Sequence, residues 1–537
     1  MKEQIYCTGT LLDAVQRSHL FKDCKTFVDM PLKADAETTL EEWKDLYANG
    51  IVSKDRLREF VEKHFEEPEG ELVECAPADW DPKANSFDEI MDESYRVFAG
   101  ALHKKWPTLH RRVADKVRLH PERYSLIGVP NPFIVPGGRF REIYYWDSFF
   151  IIKGLIASKM LDTVRGMIEN MQYLIETYGF VPNGNRIYYL NRSQPPLLTW
   201  CAYAYFNATK DTKFLESILP TLKKEFAFFE ANRSIMVEGW AAPLFRYHCV
   251  ATQPRPESYR EDIESAEEHE HIADKCRLWG DIAAAAESGQ DFSSRWFEQS
   301  GPHSQKMAGT RTSQIIPVDL NAIICGNLRM MGEMYDVIGD VEQSKWCSKL
   351  SDSMRTAIQQ VLWSEDHGCW FDFDLRSNTR THIFHDTNLF PMVTGAYHVD
   401  YDARQTVAHL RQSGVLEFPG GIPCSLISTG QQWDFPNSWA PTTWVIIMGL
   451  YECGQEEIAL ELATKWVRKN YNMWKGNSGT MFEKYNVVSP CGKAAGGGGE
   501  YEMQEGFGWT NGVILDLLVT FGKELVYDAE TRCPCCP

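Results

Sequence analysis

The chain has no apolar run long enough to cross a bilayer, and its first twenty residues lack the basic-then-apolar order of a secretory leader. A transmembrane segment is therefore not expected. It also lacks any Lys/Arg-rich run, and with a formal net charge of -19 it has no basic surface with which to neutralise phosphates. Nucleic acid is excluded as a partner on that ground. No strand leads into a G-x-x-x-x-G-K-[ST] loop and no βαβ alternation appears, which argues against a nucleotide-binding α/β fold. The 15 cysteines are odd in number and form no C-x-x-C pair inside the body, so neither a zinc ribbon nor a disulfide framework is indicated and most read as buried thiols. The EEHEH run from Glu267 to His271 has no zinc spacing and reads as a solvated charged segment. Neither metal nor cofactor is expected.

What is present begins with bulk. A chain of 537 residues, 44% hydrophobic, can bury a large core. Its acidity reads as a self-repelling soluble surface and points to no substrate. The 17 Trp, 22 Tyr and 28 Phe exceed what such a core needs, and flat rings are what sugar-binding sites use as stacking platforms. The ending RCPCCP gathers Cys533, Cys535 and Cys536 at a terminus, where acylation, intermolecular disulfides or a functionless end are all open. Sequons at Asn191, Asn207 and Asn232 bear sugar only on the secretory route, and the one at Asn191 reads as chance.

Helical periodicity dominates. Val164, Met167, Ile168, Met171, Leu174 and Ile175 share one face, and Gly179 follows where a helix stops. Leu40, Trp43, Leu46 and Tyr47 repeat the pattern behind a Thr38–Glu41 capping box, as do Leu219, Leu222, Phe226 and Phe229, and Trp346, Leu350, Ala357, Ile358 and Val361. Strand signals are sparse, so the class is all-α. Long Gly-, Pro- and aromatic-rich loops at 128–148, 179–197, 251–260, 286–296, 418–444 and 476–512 are where function is expected. No compositional break marks a second domain. The expected organisation is one domain over residues 1–527, with an N-terminal arm to about residue 83, and a Cys-rich tail over 528–537.

Breaking a glycosidic bond takes one carboxylic acid to protonate the leaving oxygen and one carboxylate to activate water or attack carbon. Loop carboxylates beside aromatics and arginines are the candidates. The stretch PGGRFREIYYWDSFF, Pro136 to Phe150, offers Arg139 for hydroxyls, Phe140, Tyr144 and Trp146 as rings, and Glu142 and Asp147, although a structural salt-bridge cluster would use the same residue types.

That stretch resembles one signature of the trehalase family of glycoside hydrolases, and QQWDFPNSWAP, Gln431 to Pro441, resembles the other. The resemblance runs from IYCTGTLLDAVQ at Ile5 through GIPCSL and EKY to GGGGEYEMQEGFGWTNGV. It implies an (α/α)6 toroid whose loops build a pocket at one end. It also implies inverting hydrolysis of α,α-trehalose to two glucose molecules. ESGQDFSSRW matches the segment holding the family's general acid, which falls on Asp291, and MFEKY places the general base on Glu483. Inversion implies carboxyls roughly 6.5 to 9.5 Å apart, leaving room for water. Sugar contacts are implied for Arg139, Phe140, Tyr144, Trp146 and Asp147, then for Asn183, Arg192, Ser193 and Gln194. They are also implied for Arg255, Pro256, Glu257 and Gly289, for Trp433 as a stacking platform, and for Glu500 behind a mobile Gly496–Gly499 lid. Extracellular or surface-associated relatives leave the compartment open, since this sequence shows no leader.

Three residues depart from the family pattern: Gln290 stands where Trp is usual, Cys424 where Thr is, and Ser438 where a small residue, usually Gly, is. Gln290 is expected to alter rate or pH optimum, either by hydrating Asp291 or by hydrogen-bonding its carboxyl. Two rival readings remain: a trehalose-binding protein with weak catalysis, and a related toroid hydrolase or phosphorylase acting on another glucoside.

Overall fold

Two kinds of helix alternate along the chain. The computed structural model describes residues 1–83, 87–489 and 495–528; the three tail cysteines lie outside the described residues. Helices Tyr145–Ala157, Leu198–Thr209, Val318–Val337, Phe390–Thr394, Ala440–Glu452 and Gly508–Thr520 each touch the next, and the last touches the first. They close a ring. Their sequences are apolar nearly all round: in Tyr145–Ala157 only Lys153 and Ile156 escape full burial. Such a helix is stable only when surrounded. Between them in sequence come Leu161–Tyr178, Thr212–Arg233, Val341–Val361, Ala403–Gln412 and Glu456–Gly476, with Glu93–His103 before the first. These outer helices bury one stripe only; Leu161–Tyr178 turns Val164, Met167, Ile168, Met171, Leu174 and Ile175 inward and ends at Gly179 with φ 85°. The arrangement is the (α/α)6 toroid.

The amphipathic segments read from sequence are all helices, with one correction. Asp35, not Thr38, caps Ala36–Leu46, its side chain accepting from the Thr38 N–H, so the helix begins earlier than the Thr38–Glu41 capping box implies. Asp and Ser/Thr cap equally well, and only the backbone shows which residue lies outside the helix.

The N-terminal arm folds as short helices, among them Thr10–Arg17 and Cys24–Asp29, and seats against the loops that line the ring's mouth. A short antiparallel sheet joins Leu72–Glu74, His110–Val113 and Phe133–Ile134. Apolar burial is continuous from Ile5 to Leu525. Across the mouth, Asn437–Trp439 pairs antiparallel with Lys484–Asn486, Ser438 facing Tyr485, and so ties the second signature to the segment that carries Glu483.

Candidate active site

The N-terminal ends of the inner helices converge on a pocket. Trp146 and Asp147 stand in the first turn of Tyr145–Ala157, Trp509 in the first turn of Gly508–Thr520, and Trp439 immediately before Ala440. Gln194 fixes the first of these turns by accepting the Trp146 N–H at 3.0 Å. Gly289 has φ 74°, and a Cβ there would stand 2.7 Å from the Trp146 indole, so glycine is what lets the ring lie under the Asp291 loop. Trp433 is stacked on Trp439 at 4.2 Å and 3°. The platform is therefore doubled.

Each pocket arginine is already held by a carboxylate. Arg139 grips Asp23 of the N-terminal arm through Nε at 2.9 Å and Nη2 at 2.8 Å. Arg192 donates to Asn183 Oδ1 at 2.9 Å and to Glu257 Oε1 at 2.5 Å, while Glu257 Oε2 is buried and takes no partner among the described residues. Arg255 is bidentate on Asp262 and reaches Glu500 at 2.9 Å. Pre-paired guanidinium groups keep a fixed orientation and present their remaining N–H groups to hydroxyls. Beneath them, Glu142 is fully buried between Lys25 and Arg186, accepts from Tyr144, and is held down at about 2 against the cost of burial by those two cations. It belongs to the support of the pocket.

Asp291 and Glu483 both line the pocket, Glu483 buried and Asp291 half-buried. Burial raises the Asp291 carboxyl above its ordinary value, with Arg255 pulling against the rise. Burial raises Glu483 too, opposed by Lys484 and by a hydrogen bond from Tyr501. Asp147 is pushed well above the carboxylate range by burial and by the charges of Glu483 and Asp291. Acidic groups with differently perturbed surroundings in one cleft are what acid–base work requires.

The second signature holds these groups in place. Gln432 donates to the Asp291 carbonyl and accepts from Lys484 Nζ at 2.7 Å, so one amide spans the segments that carry Asp291 and Glu483. Asp434 accepts from the Ser294 N–H at 2.8 Å and from Ser294 and Ser425 hydroxyls. Gln290 turns away from Asp291: its Nε2 donates to Asp386 at 3.3 Å and its Oε1 accepts from Arg295 at 3.0 Å. It does not bond to the Asp291 carboxyl, contrary to one of the two expectations. Arg295 is held by Asp372 and Asp319 and still has an Nη1–H for the amide oxygen, while Asp386 accepts from the amide nitrogen.

The sugar-contact positions expected from sequence come together around this one pocket, except Ser193 and Pro256. Ser193 Oγ donates to the Val181 carbonyl, and Pro256 offers only its carbonyl, to Gln16. Both brace neighbours that do line it. Sequence reading missed Tyr189, Ser258, Trp439, Tyr501, Phe507 and Trp509 on the wall. Trp439, Tyr501 and Trp509 sit inside the quoted family stretches, and their aromatic character beside Trp433 and Glu500 was the available signal.

Comparison with known proteins gives concordant results. A family model described as Trehalase matches residues 19–522. Trehalase from Homo sapiens is 42% identical over 536 residues, 98% of this chain and 91% of that one. Trehalase from Tenebrio molitor is 40% identical over 96% of this chain and 95% of its own. Among solved structures, neutral trehalase Nth1 from Saccharomyces cerevisiae superposes with a TM-score of 0.58 at 23% identity, over 72% of this chain and 73% of that one, a likeness of fold.

Proposed function

The chain belongs to the trehalase family, and from that membership and the pocket we infer that it hydrolyses α,α-trehalose to two glucose molecules, Asp291 acting as general acid and Glu483 as general base. The observation that supports this assignment of roles is the contrast between the surroundings of the two carboxyls. Glu483 has a cation, Lys484 Nζ, at 3.7 Å and a hydroxyl donor at 2.7 Å, both of which favour its ionised form. The Asp291 carboxyl accepts no side-chain hydrogen bond among the described residues, and burial raises it against the pull of Arg255 and Arg192.

In the reaction, Glu483 takes a proton from water as its oxygen attacks one anomeric carbon. The bond to the bridging oxygen breaks, and that oxygen takes the electron pair and the proton of Asp291. The attacked ring leaves as β-glucose and the other as α-glucose. Exchange of protons with solvent restores both carboxyls. Arg139, Arg192, Arg255, Asn183, Gln194 and Glu257 fix the hydroxyls, and Trp433 and Trp146 offer ring faces.

The test follows the anomers by proton NMR immediately after mixing with trehalose. One α and one β per turnover are expected; two α, or no glucose, would overturn the reading. Asp291→Asn and Glu483→Gln should each lower kcat by about a hundred- to ten-thousand-fold. Because Gln290 is bonded to Asp386 and Arg295 and leaves the Asp291 carboxyl uncontacted, nothing in the site favours the binding-protein alternative.

A further inference from the structure

Glu483 has two carboxylate oxygens in different circumstances. Oε1 accepts the Tyr501 hydroxyl at 2.7 Å, whereas Oε2 is buried with no hydrogen-bond partner among the described residues. Lys484 Nζ is 3.7 Å from Oε2 but directs its protons to Gln432 Oε1 at 2.7 Å and the Gly498 carbonyl at 3.4 Å. The main chain of Glu483 is fixed as well, its N–H donating to the Gln504 carbonyl at 3.1 Å and its carbonyl accepting from Trp509 at 3.3 Å. With the main chain held, what remains to be set is the orientation of the side chain and its carboxylate plane. Tyr501 sets it.

The hydroxyl is aimed by contacts independent of the base. The Tyr501 ring lies under the Arg139 guanidinium at 4.8 Å and edge-on to Phe140 at 5.4 Å. Its neighbours are tied down too: Glu500 to Arg255 and to Ser258 Oγ at 3.2 Å, and Gln504 Oε1 to the Arg139 N–H at 2.8 Å. Arg139 is itself anchored by Asp23.

We propose that Tyr501 is a positioning residue for the general base: delivered by the segment after Gly499, its hydroxyl occupies Oε1 and turns the unpartnered Oε2 toward the attacking water. The base is thus set only when this segment lies across the pocket. The phenol stays protonated, burial having pushed it far up, so it is a donor throughout the working range. The other groups facing Glu483 are Lys484 on its own strand, Asp291 on the loop after Ile272–Glu287, Asp147 on Tyr145–Ala157, and the Gln504 backbone. Among these hydrogen-bonding and charged neighbours, only Tyr501 comes from the glycine-flanked segment with a hydroxyl.

The inference rests on Glu483 being the base, and Tyr501→Phe and Glu483→Gln are therefore measured together on the full chain. Phenylalanine keeps the ring contacts and removes only the donor. The expected result is that the acid limb of kcat/KM rises by roughly one pH unit, because the carboxylate loses a charge-assisted hydrogen bond. The alkaline limb, which belongs to Asp291, stays in place; plateau kcat falls about ten-fold and KM changes little, with an unchanged thermal melt. A Tyr501→Phe profile superimposable on the parent, or a loss confined to KM, overturns the proposal while an inactive Glu483→Gln leaves the assignment of the base standing. An active Glu483→Gln overturns both.

Discussion

A buried acid that the chemistry does not use shows how one residue ties the site to its surroundings. Asp386 is fully buried beside Gln290, and burial pushes its carboxyl up to about 7 from an ordinary 3.8, with Thr442, Arg295, Cys424 and Gln290 all pulling it back. The folded chain therefore keeps a proton that the unfolded chain releases between about pH 4 and pH 7. By linkage, this group costs stability progressively as pH rises through that window and a constant amount above it. Asp386→Asn, which keeps the oxygen that Gln290 bonds, carries no such titration. Its unfolding free energy relative to the parent should climb from pH 4 to pH 7 and then level off, as read from urea midpoints at fixed m. A difference that does not vary with pH would show that Asp386 is ionised in the folded chain. Gln290 thus belongs to a buried polar cluster behind the pocket, bonded to Asp386 and Arg295 rather than to Asp291.

Among the elements, the closest contact is the crossing of Tyr145–Ala157 with Gly508–Thr520. A Cβ on Gly512 would stand 2.1 Å from the Phe150 carbonyl oxygen, and one on Gly154 would stand 2.4 Å from Gly512 Cα. These are backbone contacts that no rotamer can relieve. The two helices carry Trp146, Asp147 and Trp509 into the pocket, so their separation sets the spacing of its floor. Gly512→Ala should cost about 3 kcal/mol, near the upper end for overpacking, and raise KM as the two helix ends part. Chemical denaturation and substrate kinetics measure the two effects. A loss under about 0.5 kcal/mol, the range of ordinary surface changes, would contradict a rigid crossing.

For the molecule as a whole, the pocket is closed by pieces far apart in sequence. The N-terminal arm supplies Asp23 to Arg139, Lys25 to Glu142 at 2.7 Å, Asp13 to Tyr259 at 2.9 Å and Gln16 to the Pro256 carbonyl at 3.0 Å. The segment at 500–504 takes the Arg139 backbone N–H on Gln504 and the Arg255 guanidinium on Glu500. Trehalose bound to Glu483→Gln should therefore slow hydrogen exchange at 496–504 together with 22–25 and 255–262. At a hundred times its Kd, the ligand should stabilise the fold by about 2.7 kcal/mol. Protection confined to 496–504 would show that the arm is passive.

How much of this was legible depended on which side of a helix met water. The outer helices Leu161–Tyr178, Thr212–Arg233 and Val341–Val361 announce themselves, because one polar face leaves a 3.6-residue rhythm. The inner helices are buried all round and carry no such rhythm, so YWDSFFIIKGLIA reads as loop continuing into an apolar run and only the resemblance implied a ring. Asp291 and Glu483 were likewise placed by matched stretches. By itself Glu483 looks like an exposed glutamate, yet it is 1% exposed.

The sequence by itself determined the helical class, the family, and the pocket's arginines with part of its aromatic wall, since these depend on residue type and local spacing. The tertiary structure alone decided the partners: Asp23 for Arg139, Asp386 and Arg295 for Gln290, and Tyr501 for Glu483. The physical reason is that hydrogen bonds are fixed by distance and direction in space. Glu483 and Tyr501 are 18 residues apart, Gln290 and Asp386 are 96, and Asp23 and Arg139 are 116, separations that no periodicity encodes.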